Sequence, residues 1–281
     1  MPNPTSWLVH HHDKLIFHAH TGAPTLRLKF YHYPPYRQTV QLTQPPPGCT
    51  LKTKGLNTYF LYNGHVPPRG TLSFERTIAI TPHPAHPPQD YGRISDIPLE
   101  LAHKYKQSHP YWPLNAKTIK ELADQRWFHT DSLQEWILTV STIIPTIIHT
   151  PEPQDKRWGA EEALRTGIGD CDEFTDLFIT LARLRGIPSR RLTGYHIQPG
   201  TTTPEGHAWA ETLTPTQGWT PIDLAQHNIG HHTTNYLILK IEEFNPDLHD
   251  FEIQHQSTNL HIEWDRPTPT ITPLQTPTKN P

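Results

Sequence analysis

Thirty-one prolines divide these 281 residues into short pieces. Each proline fixes φ and removes a backbone donor, so where prolines cluster neither a long helix nor a central strand can run through. In the first third, Pro34-Pro35, Pro45-Pro46-Pro47-Gly48 and Pro67-Pro68 punctuate stretches that read as strands. These stretches are 15–20, 25–31, 38–43, 57–63 and 71–81, with Thr21-Gly22-Ala23-Pro24 as a further turn. In the third of them Val40 and Leu42 share one face, and Gln41 and Thr43 the other. Breakers at this spacing predict a small sandwich of antiparallel strands over residues 1–86. The segment 81–89 holds four prolines and predicts an extended, semi-rigid connection at a domain boundary.

Past that boundary the periodicity becomes helical. Helices are expected at 96–107, at 116–123 with Ile119, Leu122 and Ala123 spaced i, i+3, i+4, and at 131–144 with Leu133, Trp136, Ile137 and Val140 on one face. Asp131-Ser132 is placed to cap the last of these. The best-defined helix is 171–185, where Phe174, Leu177, Phe178, Leu181 and Ala182 form a stripe. Gly186 suits a left-handed C-cap, Pro188 forbids continuation, and Arg183 and Arg185 suit the negative end of the helix dipole. Short strands are expected at 191–197, 207–212, 219–224 and 235–241. The Pro/Thr-rich segment 266–281 reads as a disordered tail. The expected organisation is therefore a β-sandwich domain over 1–86, a second domain over 87–265, and the tail.

Composition narrows the function classes. The longest apolar run, 136–148, is interrupted by Thr139, Ser141, Thr142, Pro145 and Thr146, short of the roughly 20 mostly apolar residues a membrane span needs. The N-terminus has neither a basic segment leading into an apolar one nor a small-residue cleavage site, so a cytoplasmic protein without a membrane partner is expected. The formal net charge of -3 argues against nucleic acid as a partner. With 21 histidines, that charge should swing strongly between about pH 7 and pH 5. The two cysteines, Cys49 and Cys171, can build neither a disulfide framework nor a four-cysteine zinc site.

Cys171 sits in Gly167-Ile168-Gly169-Asp170-Cys171-Asp172-Glu173-Phe174, a glycine-containing turn that delivers the thiol to the first residues of the amphipathic helix. There the unpaired amides and the positive dipole end favour thiolate and can donate to an oxyanion. Asp170, Asp172 and Glu173 oppose ionisation, so a cationic partner is required. His207, in Gly206-His207-Ala208-Trp209-Ala210-Glu211, can supply it as an imidazolium. Asp223 follows on the next expected strand, across the loop Thr214-Pro215-Thr216-Gln217-Gly218. If Thr216 is the loop centre, Asp223 lies diagonal to His207 on one face, and a one-step register change would put them directly opposite. In both registers the carboxylate reaches the imidazole.

The order Cys, His, Asp, with GDCDEF at a helix start, LRGIPSRRLTGY after it, then GHAWAE and GWTPIDLA, resembles the transglutaminase-like superfamily over about 158–223. The resemblance implies a papain-like core in which Cys171, His207 and Asp223 form a triad. The β segment ahead of it is similar to prokaryotic members with an immunoglobulin-like domain before the core. The fold class expected is α+β, an immunoglobulin-like β-sandwich followed by a transglutaminase-like core. Trp158 and Trp136 are both candidates for the aromatic residue that assists the oxyanion in some relatives.

Plainer readings hold elsewhere. Cys49 reads as a buried structural thiol. The runs His10-His11-His12, His18 with His20, and His227 with His231-His232 could carry a transition metal, but read as solvated surface, as do His83 and His86. The function expected is cysteine-dependent acyl transfer on an amide or peptide bond of a protein or peptide substrate, through a thioester and without metal or organic cofactor. Hydrolysis ranks ahead of cross-linking, since water is always present and no dedicated amine site is apparent. The alternative is a non-catalytic interaction module of the same fold. Substrate identity and oligomeric state are not legible.

Overall fold

The structure is a computed structural model that describes residues 6–18, 25–66, 69–150, 156–244, 251–255 and 261–274. Six strands fill the first third: β1 (Ser6–Phe17), β2 (Thr25–His32), β3 (Gln38–Gln44), β4 (Cys49–Lys54), β5 (Asn57–His65) and β6 (Gly70–Pro82). β1 reaches back to Ser6 because burial alternates along it from Trp7 to Phe17, through the histidine run. β4 was not expected: apart from half-buried Cys49 its side chains are exposed, so the alternation that betrays a half-buried strand is missing. The turn at Thr21–Pro24 lies outside the described residues.

Three late strands join these six: β12 (Phe251–His255), β13 (Ile262–Asp265) and β14 (Thr270–Leu274). One sheet runs β13-β1-β6-β3, with β14 also on β1, and a second runs β12-β2-β5-β4. Leu15, Phe17 and Phe74 of the first sheet and Leu26, Leu28, Phe30 and Phe60 of the second bury against one another. The pairing corrects the expected domain limits, because β12 and β13 belong to the N-terminal sheets rather than to a unit ending at 265. It also corrects the disordered tail, since Thr270–Leu274 is a strand that buries Ile271. The physical reason is that β1 and β2 each have an edge to be hydrogen-bonded, and the chain's far end supplies the partners. Gln275–Pro281 lie outside the described residues.

The middle of the chain holds α1 (Leu99–Tyr105), α2 (Lys117–Ala123), α3 (Leu133–Ile147), α4 (Ala160–Thr166) and α5 (Cys171–Arg185). They pack on an antiparallel sheet of order β10-β9-β8-β7-β11. Its strands are β7 (Ser189–Ile197), β8 (Pro204–Thr214), β9 (Gly218–Asp223), β10 (Asn228–Ile229) and β11 (Tyr236–Glu242). The expected stripes are the packed ones: Leu133, Trp136, Ile137 and Val140 of α3 and Leu177, Phe178 and Leu181 of α5 are fully buried in one core. Burying each such side chain contributes about 1.5–3 kcal/mol. Ser132 caps α3 by accepting from the Glu135 amide, and Gly186 ends α5 at φ 89°. No helix among the described residues is long and apolar enough to cross a membrane.

β11 is an edge of this sheet, and the N-terminal strands hold it. The Gln38 side-chain amide donates to Ile238 O at 2.6 Å and accepts from Ile238 N at 3.0 Å. Asn57 does the same for Ile241, at 2.7 and 2.8 Å. Two side-chain amides thus stand in for the missing strand, and Trp7, Val9, Ile78 and Ile80 bury against Leu237 and Leu239 beside them. Two histidine positions depart from the solvated reading. His11 is buried with Nε2 3.0 Å from the Tyr33 hydroxyl, because the β1 pleat turns it inward between His10 and His12. His232 is buried against Trp209 and Tyr236, and burial lowers it to about 4.

Candidate active site

The turn before α5 is fixed by backbone and carboxylate contacts. Asp170 is the N-cap, its carboxylate accepting from the Asp172 amide at 2.9 Å, while Glu173 reaches back to the Asp170 amide at 3.1 Å. This capping box was legible as an Asp with a Glu three residues on, a signal not used in reading the sequence. Glu173 is fully buried and also accepts from the Trp158 amide at 2.7 Å, tying the turn to the start of α4. Burial, outweighing the amides, pushes the Glu173 carboxyl up to about 7. Gly169 leaves room for it: a Cβ there would stand 2.5 Å from the Glu173 Cβ.

Cys171 follows as the first helical residue, and the Ala208 amide donates to its sulfur. Thr175, one turn on, donates to Ala208 O at 3.2 Å, so α5 starts against β8 at the residue after His207. No direct sulfur–imidazole hydrogen bond is formed among the described residues in this conformation. Burial, then the charges of Asp172 and Asp170, push the Cys171 thiol up to about 12 against the Ala208 amide and Arg191. Burial together with the acids thus prevails over the helix start. Cys49 is half-buried rather than buried, and burial pushes its thiol up to about 12 as well.

His207 and Asp223 meet directly, Nε2 to Oδ2, at 2.7 Å. The register is the diagonal one, with Ala210 opposite Ile222 and Glu211 opposite Pro221. An ionised carboxylate only accepts, so Nε2 carries the proton and Nδ1 keeps its lone pair for another partner. Asp223 has two further donors: the Gln226 amide on Oδ1 at 3.1 Å and the Tyr236 hydroxyl on Oδ2 at 2.7 Å. The His207 ring stacks on Trp209 at 5.9 Å and 18°, which limits its rotation. On β7, Gly194 stands opposite His207, and a Cβ on it would lie 1.9 Å from Leu237 O. Only glycine lets β7 and β11 approach as they do here.

A buried ionic network lies behind α5. Arg191 pairs with Asp172 at 2.5 Å and Asp176 at 3.5 Å, Arg157 with Asp176 at 2.6 Å and Glu242 at 3.0 Å, and Lys240 with Glu242 at 2.6 Å. Burial alone would raise the Asp172 carboxyl, but Arg191 outweighs it and holds it below the ordinary range. Asp170, Cys171 and Asp172 bring three donor atoms within 4.8 Å of one another, the one such group among the described residues. Both carboxylates are already engaged, Asp172 by Arg191 and Asp170 by the Asp172 amide. Of the two tryptophans considered for the oxyanion, Trp136 is excluded: it is fully buried on α3 against Phe178. Trp158 is half-buried, with its amide held by Glu173. Sequence reading missed Tyr236 and Arg191, and gave Glu173 only as a charge opposing ionisation of Cys171, not as the side chain that holds the turn.

Residues 115–224, which hold Cys171, His207 and Asp223, match the family model of the transglutaminase-like superfamily. The chain carries a transglutaminase-like core. Comparison with curated proteins gives no match. Among solved structures, a candidate cysteine protease from Cytophaga hutchinsonii is similar with a TM-score of 0.64 at 15% identity, over 96% of this chain and 98% of that one. The likeness therefore extends beyond the core to the fold of the N-terminal and C-terminal strands. The periplasmic domain of TgpA from Pseudomonas aeruginosa, bound to ethylmercury, gives a TM-score of 0.39 at 14% identity over 77% of this chain and 90% of that one. A candidate protease from Parabacteroides distasonis gives 0.31 at 14% identity, over 82% and 47%.

Proposed function

We propose that this chain is a cysteine-dependent acyl-transfer enzyme that hydrolyses an amide or peptide bond, with Cys171 as nucleophile, His207 as general base and acid, and Asp223 as the residue that orients the ring. The observation that carries this reading is the His207 Nε2–Asp223 contact of 2.7 Å on a strand whose next amide holds the Cys171 sulfur. A thiol pushed up to about 12 stays protonated at neutral pH, so the reading here differs from a preformed thiolate–imidazolium pair. As Sγ attacks the carbonyl carbon, its proton passes to His207 Nδ1. The developing oxyanion is met by amides at the start of α5, where the helix supplies no acceptor to the Cys171 N–H. The C–N bond breaks as the imidazolium returns the proton to the amine. Water then attacks the thioester with His207 again as base, releasing the acid and restoring the thiol. The Cytophaga hutchinsonii neighbour, described as a candidate cysteine protease, favours water over an amine as acceptor.

An activity-based probe with a thiol-reactive warhead, followed by mapping of the labelled peptide, tests the assignment. Label is expected on Cys171, with Asp223→Asn slowing it by about 10²–10⁴-fold, the span of a general base's contribution. Label on Cys49 alone, or an Asp223→Asn rate within threefold of the parent, removes the reading and leaves an interaction module. Adding a primary amine to the reaction and weighing the products separates hydrolysis from transamidation.

A further inference from the structure

The Asp223 oxygen that receives His207 is shared. The Tyr236 hydroxyl donates to the same Oδ2 at 2.7 Å, and the Asn228 side-chain amide donates to the Tyr236 oxygen at 3.3 Å. Asn228 stands directly opposite Asp223 in the β9–β10 pair, while Tyr236 comes from β11, with β8 and β7 lying between it and β9. The Tyr236 ring is buried, packed edge-on against Trp209 at 5.1 Å and against His196 at 4.7 Å, so its hydroxyl has little freedom to turn elsewhere. Nothing in the proposed steps needs this tyrosine to touch substrate.

On the basis of the function just proposed, we infer that Tyr236 is a positioning residue that draws charge from the Asp223 carboxylate and so weakens the pull of that carboxylate on a proton shared between Cys171 and His207. The Tyr236 hydroxyl beside His207 on Oδ2, with the Gln226 amide on Oδ1, disperses negative charge that would otherwise act on the His207 ring alone. The Asn228 amide strengthens the effect by polarising the O–H toward Asp223. The Cys171 proton then leaves sulfur for His207 Nδ1 as an electrophilic carbon arrives to take the electron pair. The other titratable groups facing the pair are unchanged by a substitution at Tyr236: Asp170 and Asp172 at the start of α5 raise the Cys171 thiol, Asp172 is paired with Arg191, the His196 ring is 5.6 Å from His207, and His232 packs on Tyr236. Burial lowers both His196 and His232, the latter to about 4.

The test is the pH dependence of iodoacetamide labelling in the full chain, read separately for Cys171 and Cys49 by peptide mapping. Tyr236→Phe is expected to move the rising limb for Cys171 about one pH unit toward acid, about tenfold faster at a fixed pH on that limb, with Cys49 unchanged. His207→Ala slows Cys171 in the parent and abolishes the gain in the Tyr236→Phe background. An unmoved limb, or a move toward alkali, with His207→Ala still slowing the label, overturns the role of Tyr236 alone. Labelling indifferent to His207→Ala overturns the catalytic reading itself. Should Cys49 also label faster in Tyr236→Phe, the fold has loosened, and Asn228→Ala replaces it. That variant is expected to give a smaller shift in the same direction, and no shift overturns the inference.

Discussion

Glu211 is fully buried and receives four polar hydrogens at once. Arg37 Nε donates at 2.5 Å, Arg190 Nε and Nη2 at 3.0 and 2.8 Å, and the Tyr36 hydroxyl at 2.9 Å. The two guanidiniums come from opposite parts of the fold, Arg37 from the segment between β2 and β3, Arg190 from β7. Glu211 is on β8, four residues after His207. Glu211→Gln keeps the shape but removes the charge, leaving Arg190, whose side chain is 2% exposed, to rely on Glu243. Removing one partner of a buried pair costs about 3–5 kcal/mol, because the charge left behind has lost both water and its counter-ion. In a protein of this size each kcal/mol lowers Tm by about 2–4 °C, so a fall of ~6–20 °C is expected. Urea unfolding followed by tryptophan fluorescence measures the loss directly. Replacing both members of the buried pair with apolar residues, Arg190→Met with Glu211→Leu, should recover part of it, since the charges left behind, Arg37 and Glu243, are 21% and 30% exposed and keep contact with water. A loss below about 1 kcal/mol in Glu211→Gln, or a double replacement no better than the single one, refutes the idea that this carboxylate clamps the two halves together.

Other perturbations have equally direct expectations. Glu173 is pushed up to about 7, so its contribution to stability is complete below the ordinary glutamate range and is lost as pH rises through 7. Between about pH 4.5 and pH 8, Glu173→Gln should therefore gain about 3 kcal/mol relative to the parent, measured by urea unfolding at both pH values. A parallel pH profile for the two proteins contradicts this. Gly194→Ala forces its Cβ onto Leu237 O, and should yield a protein that unfolds at much lower urea or fails to accumulate folded. Ile271→Ala in β14 should cost about 2–4 kcal/mol, as a fully packed aliphatic does. A free tail at that position predicts no change in midpoint.

The sequence by itself determined the elements whose cues lie within one turn or one pleat. α5 runs from Cys171 to Arg185 as its stripe and its Gly186-Ile187-Pro188 stop required. The hairpin also placed His207 and Asp223 on one face within reach in either of its two registers, and the structure has the diagonal one, with Ala210 opposite Ile222. Tertiary structure decided what depends on strands that meet only after folding. Tyr236 reaches Asp223 because β11 closes the sheet beside β7, and no local pattern around Tyr236 encodes that neighbour. β14 docks on β1 although its Pro/Thr-rich sequence reads as unfolded, since backbone pairing with an open edge requires only extended chain. The net effect on the Cys171 thiol was likewise decided in three dimensions. The sequence placed a dipole and acids beside it, but only the depth of burial and the distance to Arg191 weighed one against the other.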